Sequence, residues 1–596
     1  MLPLYHEYMD VKGDFINYED FNKNFRIRRP DSFNFAYDVV DRYGKEDPTR
    51  EALLWTNPEG DVVKYDFQRM MVDSNKAANY FKSLGVKKGD AVMLILKRHH
   101  EFWPIIMALH KIGAVTIPAT HLLTAKDIRY RCNAADVSVI VATEHTSVVC
   151  NAIDEAAPDC THLRHKVIVR TQREGWLSFD EGFAAASEEW EKPTGADYPH
   201  NEDLMLLYFT SGTTGMPKMV THNFLYPLGH ILTAVYWLQV QDRGLHLTVS
   251  ETGWAKSVWG KLYGQWLGGS CVFVYDFDKF NAGELLAMIE KFKITTYCSP
   301  PTMYRYMLQE DFSKYDLSSL KHCSVAGEPL NPDMYEEWKK RTGLEMREAF
   351  GQTELLVTLA TFPWMEVKPG SMGKPAPVFD VDLIDGEGKP CPPGVSGEII
   401  IRTHHGAPIG MFAGYYRNEG MTADVWDGQI YHTGDVAWRD EWGYYWYVGR
   451  ADDVIKSSGY RIGPFEVESA LVEHPAVLET AITGVPDPMR GQVVKATIVL
   501  KPGWEPSDAL KKELQDHVKK LTAPYKYPRV IEFVDALPKT ISGKVRRVEL
   551  RENRLLVGTC QLILDDIQSE KKLVFPDKFL VPLDIAGFAD NNRLGE

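Results

Sequence analysis

The sequence has 596 residues, which is too long for one hydrophobic core and predicts a chain divided into several domains. Hydrophobic residues make up 44% and charged residues 25% of the chain, as in an ordinary folded protein. The formal net charge of -15 makes the average surface repel nucleic acid and anionic lipid, because both kinds of binding rest on neutralisation of phosphates by Lys and Arg. We therefore expect no nucleic-acid partner, and any anionic ligand must be held by local groups.

Cysteine usage and the N-terminal segment indicate the compartment. The eight cysteines are scattered, with no CxxC pair and no spacing typical of a zinc site or a disulfide framework. No apolar run approaches the ~18 residues that span a bilayer, so we expect no membrane span. The first residues, MLPLYHEYMDVKGDFINYEDF, are rich in Asp and Glu and lack a signal-type apolar core or an Arg-rich amphipathic pattern. These features predict a cytoplasmic protein.

The predicted elements alternate along most of the chain. After an N-terminal extension over 1–29, strand-like segments such as DAVMLIL and VSVIVA alternate with helix-like segments such as EFWPIIMALHKIGA and AKDIRYRCNAAD. Alternation of this kind is typical of parallel βαβ layers. We predict an α/β fold, with a large N-terminal body over 30–450 built of mixed or parallel sheets flanked by helices.

The pattern changes near residue 450 to a compact series of short elements. The series is helix PFEVESALVEH, strands ETAITGVP and KATIVLK, helix SDALKKELQDHVKKL and strand RVIEFV. It predicts a separate small α+β domain over 451–553. The tail over 554–596 carries mixed signals and stays unassigned.

One loop of the body has the composition of a phosphate-binding loop. The apolar stretch LMLLYF leads into small and hydroxylated residues and a lysine: Thr210, Ser211, Gly212, Thr213, Thr214, Gly215 and Lys218. Backbone amides and hydroxyls in such a loop cradle anions. The spacing is not that of a Walker A loop, because Pro217 precedes the lysine and Met219 follows it. Taken alone, the loop is also compatible with an ordinary surface loop.

Four more motifs follow in order: EAFGQTE at 348–354, YHTGD at 431–435, GRADDVIKSSGYRI at 449–462 and PKTISGK at 538–544. Together with SGTTGMPK, they resemble the adenylate-forming superfamily, which includes acyl-CoA synthetases, luciferases and peptide-synthetase adenylation domains. The resemblance covers roughly 30–551. Within the superfamily, TGW at 252–254 and APYKYPR at 523–529 look most like the medium-chain acyl-CoA synthetase group.

The resemblance implies an enzyme that uses ATP, CoA and Mg²⁺. It would join a short- to medium-chain carboxylic acid to AMP with release of pyrophosphate, and then transfer the acyl group to CoA. Two other readings are an adenylating enzyme that loads a carrier protein and a catalytically silent nucleotide-binding homologue. The small-molecule acid, ATP and CoA are then the expected partners, and the sequence leaves open whether the chain forms a homo-oligomer.

The resemblance also implies roles for residues around the nucleotide. Thr353 would contact the α-phosphate, Glu354 would bind magnesium, and Asp435 would accept hydrogen bonds from the ribose. The other nucleotide-contacting positions that it implies are Glu348, Ala349, Phe350, Gly351, Gln352, Arg450 and Arg461. Read without the family, Glu354 is a solvated carboxylate, Asp435 a turn residue, and Arg450 a salt-bridge partner of the acidic pair after it.

In the family, the small domain serves both half-reactions by rotating about a hinge, here Asp452. Lys544 would neutralise charge as the carboxylate attacks the α-phosphate. After rotation, a CoA channel would form from Ser458, Gly459 and Tyr460, with Arg490 and Lys519 near the CoA phosphates. By composition alone, Lys544 and Lys519 are ordinary solvated lysines.

The acyl pocket is the part that the resemblance defines least. Acetate-specific relatives carry a tryptophan before QTE, where this chain has Gly351, so the pocket should extend beyond acetate. Trp254 matches an acyl-contacting tryptophan, whereas Lys256 and Trp259 are unusual and, with Trp237 and Trp266, suggest a partly filled tunnel. We hypothesise a short, branched or linear acid of about four to six carbons, since bulky rings and an ammonium leave little apolar space. The alternative is that these tryptophans are core residues.

Overall fold

The computed structural model describes residues 1–10, 15–144, 148–210, 217–458, 460–539 and 545–551. Its strands up to the middle of the chain are β1 (Glu51–Thr56), β2 (Val62–Asp66), β3 (Ala91–Ile95), β4 (Val115–Pro118), β5 (Val137–Thr143), β6 (His165–Val169), β7 (Leu177–Ser178), β8 (Leu204–Thr210), β9 (Lys218–Asn223), β10 (Leu245–Thr248), β11 (Cys271–Tyr275), β12 (Thr296–Ser299) and β13 (His322–Ala326). The later strands are β14 (Met346–Gly351), β15 (Val357–Ala360), β16 (Ser371–Pro375), β17 (Asp380–Ile384), β18 (Gly397–Arg402), β19 (Trp426–Asp427), β20 (Ile430–Arg439), β21 (Tyr445–Arg450), β22 (Ile455–Ser457), β23 (Tyr460–Ile462), β24 (Val477–Asp487), β25 (Gly491–Leu500) and β26 (Val530–Phe533).

The α-helices of the described residues are α1 (Tyr18–Asn24), α2 (Arg42–Glu46), α3 (Phe67–Ser83), α4 (Phe102–Ile112), α5 (Ala125–Ala134), α6 (Val148–Ala156), α7 (Phe179–Ala185), α8 (Tyr226–Ile231), α9 (Ala255–Lys261), α10 (Tyr263–Leu267), α11 (Ala282–Phe292), α12 (Pro301–Met307), α13 (Pro332–Thr342), α14 (Glu419–Asp424), α15 (Pro464–Val472) and α16 (Asp508–Leu521). Two stretches, Ala36–Asp41 and Leu232–Trp237, are π-helical. Short 3₁₀ turns lie at Leu4–Tyr8, Ala157–Asp159, Gly195–Asp197, Phe312–Lys314 and Pro524–Lys526. None of the helices in these ranges is both long and apolar enough to cross a bilayer.

The described strands form three sheets. A seven-stranded sheet has the order β7-β6-β5-β3-β4-β8-β9 and is parallel except for its β8–β9 hairpin. A fourteen-stranded sheet has a parallel centre, β14-β13-β12-β10-β11-β1, between antiparallel flanks. A five-stranded sheet is built from β22 to β26. The predicted α/β fold, with a large body and a smaller C-terminal α+β unit, is confirmed, whereas the boundaries at 29/30 and 450/451 stay predictions.

Local sequence explains several element ends. Thr124 and Asp127 form a reciprocal capping box at the start of α5. Helix α13 begins after Asn331, whose side chain accepts backbone N–H groups, and ends at Gly343, which adopts the left-handed conformation that glycine favours. Helix α4 is buried on all sides, which explains its continuous apolar sequence.

The two large sheets meet at a point we call the sheet junction, made of Lys97, Ala119, Thr120, Thr252 and Gly253. The backbone N–H and the hydroxyl of Thr252 both donate to the carbonyl of Lys97, which follows β3. Gly253 passes so close to the end of β4 that a Cβ there would overlap the backbone of Ala119 and Thr120. The chain after β10 is therefore pressed against the carboxyl end of β4.

The small sheet is joined to the body at β21. Helix α15 starts directly after Gly463, where a Cβ would overlap the carbonyl of Val448. Farther along, the Asn331 amide donates to the Ser469 hydroxyl at 3.2 Å. These contacts bring the first helix of the small unit against the strand that carries Arg450.

A buried ion pair ties α4 to the π-helical stretch before α2. The Lys111 side chain is fully buried, and its Nζ lies 2.6 Å from Oδ1 of Asp41 and 2.5 Å from Oδ1 of Asn75. Burial lowers the pKa of Lys111, while Asp41 acts in the opposite direction. Removal of the ammonium would leave a carboxylate in the core without its cation.

We expect Lys111→Met to lower the free energy of unfolding by about 3–5 kcal/mol, because the Asp41 carboxylate loses its partner. Urea unfolding followed by fluorescence measures the change. Lys340→Met is the matched control, since the Lys340 side chain is 80% exposed. Adding Asp41→Asn to Lys111→Met should recover part of the loss. Equal free energies of unfolding for the Lys111 and Lys340 variants would contradict a stabilising role for the ion pair of Lys111 and Asp41.

Candidate active site

The glycine-rich loop starts and ends at paired positions of a hairpin. Thr210 is the last residue of β8 and lies opposite Lys218, the first residue of β9. The Lys218 Nζ lies 5.0 Å from the centroid of the Tyr415 ring. The loop positions Ser211, Gly212, Thr213, Thr214 and Gly215 lie outside the described residues. The hairpin therefore brings both flanks of the predicted loop to the carboxyl end of the seven-stranded sheet.

Glu354 lies in the turn between β14 and β15, beside the same tyrosine. The Tyr415 hydroxyl donates to Oε1 of Glu354 at 2.8 Å. The N–H of Phe412 donates to the Glu354 carbonyl at 2.8 Å, which holds the turn against the 409–415 segment. Tyr415 thus connects the predicted metal ligand to the lysine of the glycine-rich loop. The contact between Tyr415 and Glu354 could not be predicted from a local sequence pattern, because 61 residues separate the two.

Asp435 is the centre of a polar cluster on β20. Its carboxylate is almost fully buried and accepts hydrogen bonds from the Gln352 amide, from the Tyr447 hydroxyl at 3.0 Å and from the Arg450 guanidinium at 3.3 Å. Asp435 and Arg450 are direct partners across β20 and β21, which explains why motifs 15 residues apart meet. Burial, the largest single influence, lowers the pKa of Arg450, but the nearby acidic groups, Asp435 foremost, together outweigh it and raise the pKa.

The turn after β14 is also held from its other side. Nε2 of His222 donates to the carbonyl of Thr353 at 2.8 Å. Burial lowers the pKa of His222 to about 4, so the ring is neutral at pH 7. The His222 ring stacks on Tyr226, whose hydroxyl accepts a hydrogen bond from the indole of Trp259. A buried chain of rings thus joins the predicted α-phosphate contact to the predicted acyl pocket.

Four predicted nucleotide positions, 348 to 351, lie inside β14. Ala349 is buried, Phe350 is half-buried and Glu348 is buried. The Glu348 carboxyl accepts the N–H of Leu330 at 3.4 Å, and burial raises its pKa well above the usual range. The Glu348 side chain therefore stabilises the neighbouring loop.

Trp259 and Gly351 meet at the base of the predicted acyl pocket. A Cβ on Gly351 would overlap the carbonyl of Leu356 and lie 2.5 Å from Cη2 of Trp259. The tryptophan ring therefore occupies the space next to the glycine. Trp254 precedes α9 and is half-buried, and the Lys256 ammonium donates to the carbonyl of Ala326 at 2.7 Å.

The other two tryptophans belong to the core. The indole of Trp237 donates to the Arg347 carbonyl at 3.0 Å, and that of Trp266 donates to the Ala52 carbonyl at 2.8 Å. Trp266 also packs against Phe35 and Phe67. Both side chains are fully buried, so of the tryptophans considered from the sequence, Trp259 is the one that contacts Gly351.

The predicted CoA residues of the small unit lie partly together. The N–H of Ser458 donates to the Arg490 carbonyl at 2.9 Å, and the Arg490 guanidinium donates to the Ser458 hydroxyl at 3.3 Å. The exposed Tyr460 ring stacks on Tyr525, with 4.0 Å between centroids. Lys519 pairs with Asp516 at 2.9 Å on α16.

The remaining predicted positions of this unit are placed as follows. Asp452 is exposed, and its carbonyl accepts a hydrogen bond from Arg551 at 3.4 Å. Arg461 lies in β23. Gly459 and Lys544 lie outside the described residues. Among the described residues, no group of three or more His, Cys, Asp or Glu side chains could hold a metal ion.

Comparisons with known proteins show which family the chain resembles. The family described as AMP-binding enzyme matches residues 40–416, and the AMP-binding enzyme C-terminal domain matches 466–544. The chain is 44% identical over 559 residues to acyl-coenzyme A synthetase ACSM3, mitochondrial, of Rattus norvegicus, covering 92% of this chain and 95% of that protein. It is 45% identical over 546 residues to acyl-coenzyme A synthetase ACSM4, mitochondrial, of Homo sapiens, covering 89% and 93% of the two chains.

Solved structures share the fold over nearly the same length. The anthranilate CoA ligase AuaEII in complex with anthranoyl-AMP superposes with a TM-score of 0.81 at 31% identity, over 89% of this chain and 99% of that one. A benzoate CoA ligase from Burkholderia xenovorans LB400 superposes with a TM-score of 0.75 at 26% identity, over 87% and 100% of the two chains.

These comparisons correct one prediction. The cytoplasmic location is contradicted, because the relatives in Rattus norvegicus and Homo sapiens are named as mitochondrial proteins. The prediction failed because scattered thiols indicate only a reducing compartment, and the cytoplasm is not the only compartment that is reducing. The family matches, together with sequence identity over nearly the whole chain, show that the chain belongs to the AMP-binding enzyme family, in its group of acyl-coenzyme A synthetases.

Proposed function

We propose that this protein is an ATP-dependent acyl-CoA synthetase. It joins a carboxylic acid to AMP with release of pyrophosphate, and then transfers the acyl group from the adenylate to the thiol of CoA. The main support for this proposal is the polar cluster of Gln352, Asp435 and Arg450 beside Glu354. In it, Asp435 is a buried anionic acceptor, and Glu354 is a separate carboxylate at the same end of the body. Family membership and the names of the relatives support the same reaction.

The first half-reaction must bring two anions together. Asp435 suits the ribose hydroxyls, because a buried carboxylate accepts hydrogen bonds and cannot donate them. Thr210 and Lys218 flank the loop that would hold the phosphates. Their role is to place the carboxylate and the α-phosphate in line, which lowers the entropic part of the barrier.

The residues present fit a magnesium ion that arrives with the nucleotide. Within the described residues, Oε1 of Glu354 accepts one hydrogen bond from Tyr415 and Oε2 accepts none, which leaves an oxygen for a hard cation. Mg²⁺ commonly takes one or two carboxylates plus phosphate oxygens and water, so a full protein cage is not required. When bound, the ion would neutralise phosphate charge, and Glu354 would hold it.

In the second half-reaction, the thiol of CoA must reach the place that Lys544 occupied during adenylation. We propose that Asp452 is the pivot, since an exposed residue between β21 and β22 can change its backbone torsions without breaking core packing. Ser458, Tyr460 and Arg490 form one face of the small unit that suits the pantetheine arm and the phosphates of CoA. Lys519 extends that basic surface, although its present partner is Asp516.

The contact between Trp259 and Gly351 supports a short acyl substrate. The ring fills space that Gly351 would otherwise leave open to a straight chain. Its indole N–H is engaged with Tyr226 at 3.2 Å, which holds the ring in place. A short linear or branched acid of about four to six carbons therefore suits the site better than a long chain.

One assay separates this function from its two alternatives. Purified protein is given ATP, CoA and short linear, branched or aromatic acids, and AMP and pyrophosphate are measured. CoA-dependent AMP release with an acyl-CoA product is expected. Adenylate formation without transfer to CoA would favour loading of a carrier protein, and nucleotide binding without pyrophosphate release would favour a silent homologue.

We expect Lys544→Ala to raise the adenylation barrier by at least roughly 3 kcal/mol, which is more than a hundredfold in rate, because a preorganised cation is lost from the transition state. Acid-dependent exchange of pyrophosphate into ATP measures this step. Arg546→Ala is the matched control, since Arg546 lies in the same basic run and pairs with Glu549. Wild-type exchange in the Lys544 variant would exclude the assigned role.

We expect Trp259→Ala to shift the preferred acid toward longer chains, because removal of the indole opens the space beside Gly351. Steady-state kcat/KM across a series of linear and branched acids measures the shift. Trp442→Ala is a suitable control, since Trp442 is 67% exposed. Turnover by the wild-type protein that peaks at octanoate or longer would reject the filled-pocket hypothesis.

A further inference from the structure

A histidine and a largely buried carboxylate face each other across the sheet junction. His121 follows the end of β4, and Glu251 follows β10. Nδ1 of His121 lies 3.1 Å from Oε1 of Glu251, and the backbone N–H of His121 donates to the same oxygen at 3.3 Å. The hydroxyl of Thr120 donates to Oε2 at 3.1 Å. Three donors on one loop thus fix the position of the Glu251 carboxylate.

This pair lies next to both halves of the proposed site. Strands β4 and β8 are parallel neighbours with Thr116 opposite Leu206, so the same register brings the end of β4 beside Thr210, where the glycine-rich loop starts. On its other side, Glu251 is followed at once by Thr252, Gly253 and Trp254. Gly253 touches the backbone just before His121. The imidazole therefore stands where the loop flank and the acyl segment meet.

The hydrogen bonds determine which nitrogen of His121 is free to react. A carboxylate only accepts, so Nδ1 carries the proton that Glu251 binds, and Nε2 keeps its lone pair. In the part of the chain that the structure describes, the polar contacts of His121 run through Nδ1 and the backbone N–H and leave Nε2 unused. The side chain is 20% exposed, so a ligand can reach it. An imidazole oriented by a carboxylate in this way is the arrangement of a general base.

The charges around the pair keep Glu251 anionic. Burial alone would raise the pKa of Glu251, but the hydrogen bonds from His121, the charge of the His121 ring when it is protonated, and the charge of Arg98 together outweigh it and lower the pKa. Lys261, at the end of α9, donates to the Ser250 carbonyl at 2.6 Å, and burial lowers its pKa well below the usual range. An anionic Glu251 can stabilise the imidazolium that forms when His121 takes up a proton.

We propose that His121, oriented by Glu251, accepts the proton of the CoA thiol when the thiol attacks the acyl-adenylate. The proton passes from sulfur to Nε2 while the sulfur forms a bond to the acyl carbon. The bond between that carbon and the phosphate oxygen then breaks, AMP leaves with the electron pair, and the imidazolium returns its proton to solvent. This inference rests on the proposed synthetase function and concerns its second half-reaction only.

The test separates the two half-reactions with His121→Asn. The asparagine amide can still donate to Glu251 in place of Nδ1, but nothing replaces Nε2. We expect transfer from preformed acyl-adenylate to CoA, measured in single turnover, to fall by about a hundredfold or more. Pyrophosphate exchange should stay at the wild-type level, which also shows that the variant is folded.

Chemical rescue distinguishes a role of His121 as a general base from a purely structural role. With His121→Ala, added imidazole should restore part of the transfer rate, because a small base can occupy the vacated space. His162→Asn is the matched control, since His162 holds Asp136 at the same 3.1 Å distance on the surface. Loss of both half-reactions together, absence of rescue, or full transfer activity in His121→Asn would each overturn the proposal. Wild-type protein that forms acyl-adenylate but no acyl-CoA would instead reject the synthetase function itself.

Discussion

The close passage of the 252–254 segment over the end of β4 is the constraint on which the site depends. Gly253 has no side chain because the backbone of Ala119 and Thr120 occupies the place of its Cβ. The two hydrogen bonds from Thr252 to the Lys97 carbonyl hold the segment there. The two large sheets, which share one hydrophobic cluster, are thereby fixed relative to each other, and the loop ends that carry the chemistry meet at a single edge.

The site also shows how an acidic protein can receive anionic substrates. The net charge is -15, yet the carboxylates at the site are engaged rather than free to repel. Asp435 accepts hydrogen bonds from Gln352, Tyr447 and Arg450, and Glu354 accepts one from Tyr415. Each carboxylate is therefore held in place as a specific acceptor, which suits the ribose that we propose for Asp435 and the cation that we propose for Glu354. Local pairing outweighs the average field because charges in contact act at low effective dielectric.

Much of the fold could be predicted from the sequence, and candidate site positions could be named from it, because the motifs are local. The alternation of strands and helices between residues 90 and 143 is reproduced as β3, α4, β4, α5 and β5. Asp435 and Arg450 could be named from their motifs, and strand pairing brings them together. Tyr415 and His222 were not identified, since a single tyrosine or histidine in an unremarkable segment has no local pattern that marks it. The roles of Trp259 and Trp266 could not be separated either, because both belong to one apolar stretch and only packing tells them apart.

The sequence by itself determined the fold class, the order of the motifs and the family's chemistry, because glycines, hydroxyls and charged residues at set spacings are properties of short segments. Only the tertiary structure decided which side chains touch: that Trp259 lies against Gly351, that Tyr415 binds Glu354, and that Glu251 orients His121 across the sheet junction. These contacts join residues between 61 and 130 positions apart. Their formation depends on how whole sheets pack, which no local pattern of residues records.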